Sequence, residues 1–160
     1  MSPPDAPETG PGSNPRVFNT RLPTAQETAE LVAFLPRLYA EGFVPTERWG
    51  GGTMEVQGED RVLTWPYPVY HETVTAFFET AGRDCWSDHG YRPAAAGRML
   101  QDPERVKRAS LSQIRTMLTY CVRGERFCDG HWAAMITQGH IRRLLERLAA
   151  LGDGPAEEDG

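Results

Sequence analysis

The stretch 124-GERFCDGHWAAMITQG-139 decides how the C-terminal half of this 160-residue chain is read. It crowds Glu125, Arg126, Cys128, Asp129, His131 and Trp132 into one short segment, so it can be a reactive cluster or the junction of two helices. Helix punctuation accounts for most of it. Gly124 suits a left-handed position after one helix, Phe127 can plug the core, and Asp129 can cap a short helix over "GHWAAMITQ" that Gly139 stops. Trp132, Met135 and Ile136 then pack inward. Arg123, Glu125 and Arg126 are left over, because nothing in helix formation demands them at that turn.

The segments on either side support the helical reading. Upstream, Ser110 and Gln113 have capping-box spacing, and Leu111, Ile114, Met117, Leu118 and Cys121 recur as a buried helical face. Downstream, Ile141, Leu144, Leu145 and Leu148 form an apolar stripe, with Arg142, Arg143, Glu146 and Arg147 off it. Asp102-Pro103 and Arg92-Pro93 each start a helix, the aspartate serving as N-cap. Val69 to Ala81 is predicted as a helix with Tyr70, Val74, Phe77, Phe78 and Ala81 on one face, ended by Gly82. "MEVQGEDRVLTW" predicts a β-hairpin from about Met54 to Trp65 around Gly58-Glu59-Asp60. Thr24 and Glu27 open another capped helix, which Pro36 kinks or shortens before Gly42.

These elements predict a mainly α, single compact domain of about six helices with one small β-hairpin, over residues 23–151. Residues 1–22, rich in Pro, Gly, Ser and Asn and without periodic apolar residues, cannot repay the entropy of ordering and are predicted to be a disordered tail. Residues 152–160 are predicted to be a second, acidic one.

Charge is distributed unevenly. The net charge is −5, yet from Pro23 to Gly97 there are eleven acids against five arginines, and from Arg98 to Leu148 ten bases against five acids. The basic C-terminal third bears on partners, not on fold. Three cysteines, Cys85, Cys121 and Cys128, predict reduced thiols rather than a disulfide framework. No apolar run is long enough to cross a membrane, and the N-terminus has no signal-like pattern, so a soluble, cytoplasmic protein without a membrane partner is expected.

Familiar catalytic signatures are absent from the sequence: there is no G-x-S-x-G, H-E-x-x-H, EF-hand loop or phosphate loop, and Gly50 to Gly52 lack the following Lys-Ser/Thr. Cys85/His89 and Cys128/His131 have chelating spacings that would supply four zinc ligands if they met, but they lack the usual paired-cysteine pattern, and no metal or cofactor is expected. Cys128 and His131, three residues apart around a turn, need not face each other as a thiolate pair. Arg123 and Arg126 could cradle a phosphate while Glu125 or His131 moves a proton. "HWAAMITQGHIRRLLERL" loosely has a helix-turn-helix layout, with His140, Arg142 and Arg143 at the start of the second helix. The same arginines can equally be solvated or paired with Glu146.

Leu118 to Leu148 resembles a family of small uncharacterised bacterial proteins through Thr119, Arg123, Arg126, Phe127, Gly130, Gly139, Ile141 and Leu145. The similarity extends back through the Trp86 region. The resemblance implies a bacterial single-domain protein and assigns no activity, cofactor or catalytic residue. The expectation is therefore a binding domain rather than an enzyme, contacting nucleic acid or a protein through Arg123, Glu125, Arg126, His131, Arg142 and Arg143. The alternative is an enzyme acting on a phosphate-bearing substrate at the Arg123/Arg126 turn.

Overall fold

A computed structural model describes residues 21–153. The two expected tails fall largely on residues 1–20 and 154–160, outside the described residues. Arg21 is an exception: its guanidinium makes two hydrogen bonds to the Glu27 carboxylate, at 2.7 and 2.6 Å, and belongs to the N-terminal end of the first helix. That contact and the Thr24 backbone hold the Glu27 carboxyl down to about 2.

The fold is mainly α with small β elements. In chain order the elements are α1 (Ala25–Val32), α2 (Phe34–Leu38), β1 (Thr46–Gly50), β2 (Met54–Gln57), β3 (Asp60–Leu63), β4 (Tyr67–Tyr70), α3 (Glu72–Ala81), α4 (Pro93–Leu100), α5 (Pro103–Lys107), α6 (Leu111–Arg123), α7 (His131–Thr137) and α8 (His140–Asp153). Short 3-10 turns occupy Asp84–Trp86 and Gly124–Arg126. Both capping boxes form, at Thr24/Glu27 and Ser110/Gln113, and Asp102 accepts from the Glu104 and Arg105 N–H groups at the start of α5. Pro36 breaks the first predicted helix in two. It has no N–H to give the Val32 carbonyl, and α1 ends at Val32.

The predicted helix over Val69–Ala81 is shortened at its start. Tyr67 to Tyr70 is strand β4, paired antiparallel with β1, and helix α3 begins at Glu72. Pro68 explains this, since the residue before a proline is driven to extended backbone, and Tyr67 opens strand β4. His71 is the N-cap of α3, its Nδ1 accepting from the Thr73 N–H at 3.0 Å. The expected hairpin forms as β2 and β3, with Met54 opposite Leu63 and Gln57 opposite Asp60.

The two hairpins belong to one arm. Gly50 pairs with Tyr67 and Met54 with Leu63, and between these pairs the Gly52 N–H donates to the Thr64 carbonyl and the Thr64 N–H to the Thr53 carbonyl. Gly51 and Gly52, both at positive φ, turn the chain there. A Cβ on Gly51 would overlap the Trp65 carbonyl oxygen.

Helix α8 is central. It packs against α1, α2, α5, α6 and α7, burying Ile141, Leu144, Leu145 and Leu148. The core continues through Leu31, Leu38, Val74, Phe77, Phe78, Trp86, Ile114, Met117 and Leu118. Trp132 of α7 stacks flat on Phe78 at 4.6 Å, and its indole N–H donates to the Val122 carbonyl at 3.0 Å. The Tyr39 hydroxyl links α2 to the α7–α8 junction by donating to the Ile136 carbonyl and accepting from the Arg142 N–H. Burial pushes that phenol up to about 12.

Candidate functional site

The turn after α6 is built around Glu125. Its carboxylate accepts from the Tyr70 hydroxyl at 2.9 Å, from the Gly130 N–H at 3.1 Å and from the Trp132 N–H at 2.8 Å. It thus performs the capping of α7 that the sequence reading assigned to Asp129. The residue before α7 is Gly130, at φ +90°, a conformation in which a side chain would be strained. Burial and the adjacent carboxylate raise the Tyr70 hydroxyl well above its ordinary range. A proton on that oxygen is therefore kept for the hydrogen bond to Glu125.

Three further assignments in this segment change. Phe127 is 84% exposed and does not plug the core. Gly124 is not left-handed but continues right-handed into the 3-10 turn at φ −60°. It is glycine for a different reason: the His131 ring occupies the place where a Cβ would project. Helix formation also does demand Glu125, because without it the first turn of α7 would lack an acceptor for two N–H groups.

Arg123 and Arg126 are brought together. They line a small cleft of about 160 Å³ with Asp84, Ser87, His89 and Thr119. Residues 119, 123 and 126 follow one another at spacings of four and three, which places them along one face of α6 and its 3-10 extension. Neither arginine is held in an ion pair by a carboxylate of the described residues; the Arg123 guanidinium lies 5.4 Å over the Tyr91 ring.

The opposite wall is fastened to α6. Thr119 Oγ1 accepts from the Asp88 N–H at 2.8 Å, Thr116 Oγ1 donates to Asp88 Oδ2 at 2.6 Å, and Arg115 donates to the Ser87 carbonyl at 3.1 Å. The Asp88 carboxylate also accepts from the Gly90 N–H, closing a tight turn around His89. The loop that carries Ser87 and His89 is thereby fixed relative to the arginines. Sequence reasoning missed Asp84, Ser87, His89 and Thr119 as cleft residues. The spacing of Thr119, Arg123 and Arg126 was the available signal.

The other expected site residues lie elsewhere. Glu125 and His131 do not line the cleft. The His131 ring packs against Tyr120 at 5.5 Å between centroids, and burial lowers its pKa, with the Glu125 carboxylate opposing. On α8, Arg142 pairs with Glu146 at 3.3 Å and lies over the Tyr39 ring, while Arg143 donates to His140 Nδ1 at 3.0 Å. His140 is buried, and its Nε2 faces Gln138 Oε1 at 3.2 Å. The four residues considered for zinc are dispersed: Cys85 is buried, Cys128 is exposed, His89 lines the cleft and His131 lies on Gly124. Among the described residues no group of three or more His, Cys, Asp or Glu side chains could hold a metal.

Two imidazoles, His140 buried and His131 half-buried, set a pH dependence. Burial lowers both, with Arg143 adding to the effect at His140, so the native state favours their neutral forms. Unfolded histidine titrates near 6.5. Their contribution is complete above that value and is lost as pH falls through it toward the lower folded values. Urea denaturation between pH 8 and pH 5 should show stability declining below about 6.5. In His140→Gln that decline should be shallower, and an unchanged slope in both His140→Gln and His131→Gln would contradict this account.

Fold and cleft together define a small, mainly helical domain with a basic pocket at the end of α6. Residues 23–154 match the profile of a family of unknown function, DUF6508, and the chain belongs to that family. No curated protein and no solved structure is detectably similar to it. Among the described residues no helix is long and apolar enough to cross a membrane.

Proposed function

We propose that the domain binds a small oxyanionic ligand, a phosphate or a phosphate monoester, in the Arg123/Arg126 cleft. The observation that carries this reading is the convergence of two guanidiniums, neither in an ion pair with a carboxylate of the described residues, on a pocket also lined by Asp84, Ser87, His89 and Thr119, in which two positive charges face one negative. Guanidinium matches the planar, bidentate geometry of phosphate oxygens. A volume of about 160 Å³ suits a headgroup and not a large cofactor. The three free cysteines suit a reducing compartment such as the cytoplasm.

The arginines of α8 support the nucleic-acid reading less, because Arg142 and Arg143 are engaged with Glu146 and His140. An enzymatic use of the same pocket would take its proton-transfer group from His89. Glu125 and His131 are committed to α7 and to the face of Tyr120.

The test is a titration with inorganic phosphate and with phenyl phosphate, followed by amide chemical shifts in NMR. Saturable shifts confined to residues 84–91 and 119–127 are expected. Arg126→Gln should weaken binding about tenfold, the loss of one charge-assisted contact. No saturable shift for either compound, or equal affinity in the double variant Arg123→Gln/Arg126→Gln, would refute the proposal. Release of phenol that is lost in His89→Gln would mark the site as catalytic; its absence leaves a binding site.

A further inference from the structure

Two of the residues that line the Arg123/Arg126 cleft carry hydroxyls, and neither has a proton to give to a ligand. Ser87 Oγ donates to the Arg83 carbonyl at 3.0 Å and shares the same proton with the Gly82 carbonyl at 3.3 Å. Thr119 Oγ1 donates to the Arg115 carbonyl at 2.9 Å and accepts from the Asp88 N–H at 2.8 Å. A hydroxyl has one O–H and two lone pairs. To a ligand, therefore, Ser87 offers lone pairs only, and the buried Thr119 hydroxyl at most one.

The carboxylate of the cleft adds a further acceptor. Asp84 opens the 3-10 turn Asp84–Trp86, and the two residues after it, Cys85 and Trp86, are buried in the core. The turn is closed by the Trp86 N–H on the Arg83 carbonyl at 2.9 Å and the Ser87 N–H on the Asp84 carbonyl at 3.0 Å. The place of Asp84 beside the arginines is fixed by that anchorage. A carboxylate accepts and cannot donate, while His89 offers a donor or an acceptor according to its tautomer and does not decide the balance. The cleft is thus divided: Arg123 and Arg126 bring N–H donors from the end of α6, and Asp84 and Ser87 bring acceptors from the turn that follows α3.

An oxyanion bare of protons meets those acceptors lone pair to lone pair and charge to charge. One that keeps a proton of its own can donate it to Asp84 while its other oxygens take the two guanidiniums. From this division of donors and acceptors, and resting on the oxyanion reading above, we infer that the cleft selects hydrogen phosphate. Inorganic phosphate, with its P–OH, is preferred to sulfate and to a fully ionised phosphate monoester, and Asp84 is the residue that determines this specificity. A site that only attracted charge would not separate three tetrahedral dianions. An acceptor that just one of them can satisfy does, because the other two leave it facing a like charge.

The test is a set of NMR titrations of the full chain at pH 8 and constant ionic strength with inorganic phosphate, sulfate and phenyl phosphate. All three are chiefly dianions there, since the second ionisation of a monoester lies at about 6, and phosphate alone keeps a proton. It should bind at least about tenfold more tightly than either competitor, the size of one hydrogen bond to a charged group. Asp84→Asn has the shape of the carboxylate and supplies an amide donor, so sulfate binding should strengthen and the preference for phosphate should vanish. Asp84→Ala, with neither charge nor donor, should lose the preference as well. Arg126→Gln should weaken all three alike and keep their ratio. Each variant should keep the circular dichroism spectrum of the wild type, Asp84 being exposed. Equal affinity for the three dianions in the wild-type chain, or an unchanged preference in both Asp84 variants, would overturn the inference and leave the oxyanion site standing. No saturable shift with any of the three would remove the site and the inference together.

Discussion

Replacing Glu125 by alanine is expected to destabilise the domain by about 3 kcal/mol, among the largest effects available from a single polar side chain here. Three groups lose their acceptor at once: the Gly130 and Trp132 N–H groups and the Tyr70 hydroxyl. All three contacts are part-buried, so water replaces the carboxylate only in part. The loss spreads, because α7 carries Trp132 onto Phe78 and Tyr70 belongs to the strand that roots the arm. Urea denaturation of Glu125→Ala, Tyr70→Phe and the double variant measures this directly. Tyr70→Phe alone should cost about 1 kcal/mol, and the double variant less than the sum of the two. A cost below about 0.5 kcal/mol for Glu125→Ala, the size of an ordinary surface change, would show that the carboxylate does not hold the turn.

The second large effect is expected at Gly124, where alanine should cost about 2 kcal/mol. Backbone geometry alone predicts the reverse. Gly124 has φ −60° in a helical turn, where alanine is favoured over glycine by up to about 1 kcal/mol. The His131 ring decides the sign, since a Cβ would overlap it and the ring is held on its other side by Tyr120. If this is the cause, Gly124→Ala should become nearly neutral or stabilising in the background of His131→Ala, which empties the space. Thermal unfolding of the two single variants and the double one tests it. A double variant as destabilised as the sum of the singles would show that the imidazole is not the obstacle.

The fold was largely readable because its signals are local. Capping boxes at Thr24/Glu27 and Ser110/Gln113, the proline at the start of α5 and the stripes of α6 and α8 each lie within a few residues of one another. Strands β1 and β4 were not read, because Thr46 to Gly50 finds its partner about twenty residues away and no alternation marks either strand. Tyr67-Pro68 was a usable warning against helix there.

The candidate site was half readable. Arg123 and Arg126 stood out as residues that helix ends do not require, and the structure brings them to one pocket. Glu125 looked like their companion by adjacency. Its side chain leaves in another direction, to a tyrosine 55 positions earlier and to N–H groups beyond the turn. His89, Ser87 and Asp84 could not be assigned from sequence, since long-range hydrogen bonds, of Asp88 to Thr116 and Thr119 and of Arg115 to the Ser87 carbonyl, bring that loop to α6.

Helix α6 serves two masters: Ile114, Met117, Leu118 and Cys121 face the core, while Thr119 and Arg123 face the pocket. One residue added to or removed from its middle rotates everything beyond it by about 100°. Core and ligand groups would go out of phase together, so no such change can trade recognition against foldedness. Relatives of this chain should accordingly keep the span from Ser110 to Arg126 at constant length, and vary in length instead at the Gly58–Glu59 tip of the arm.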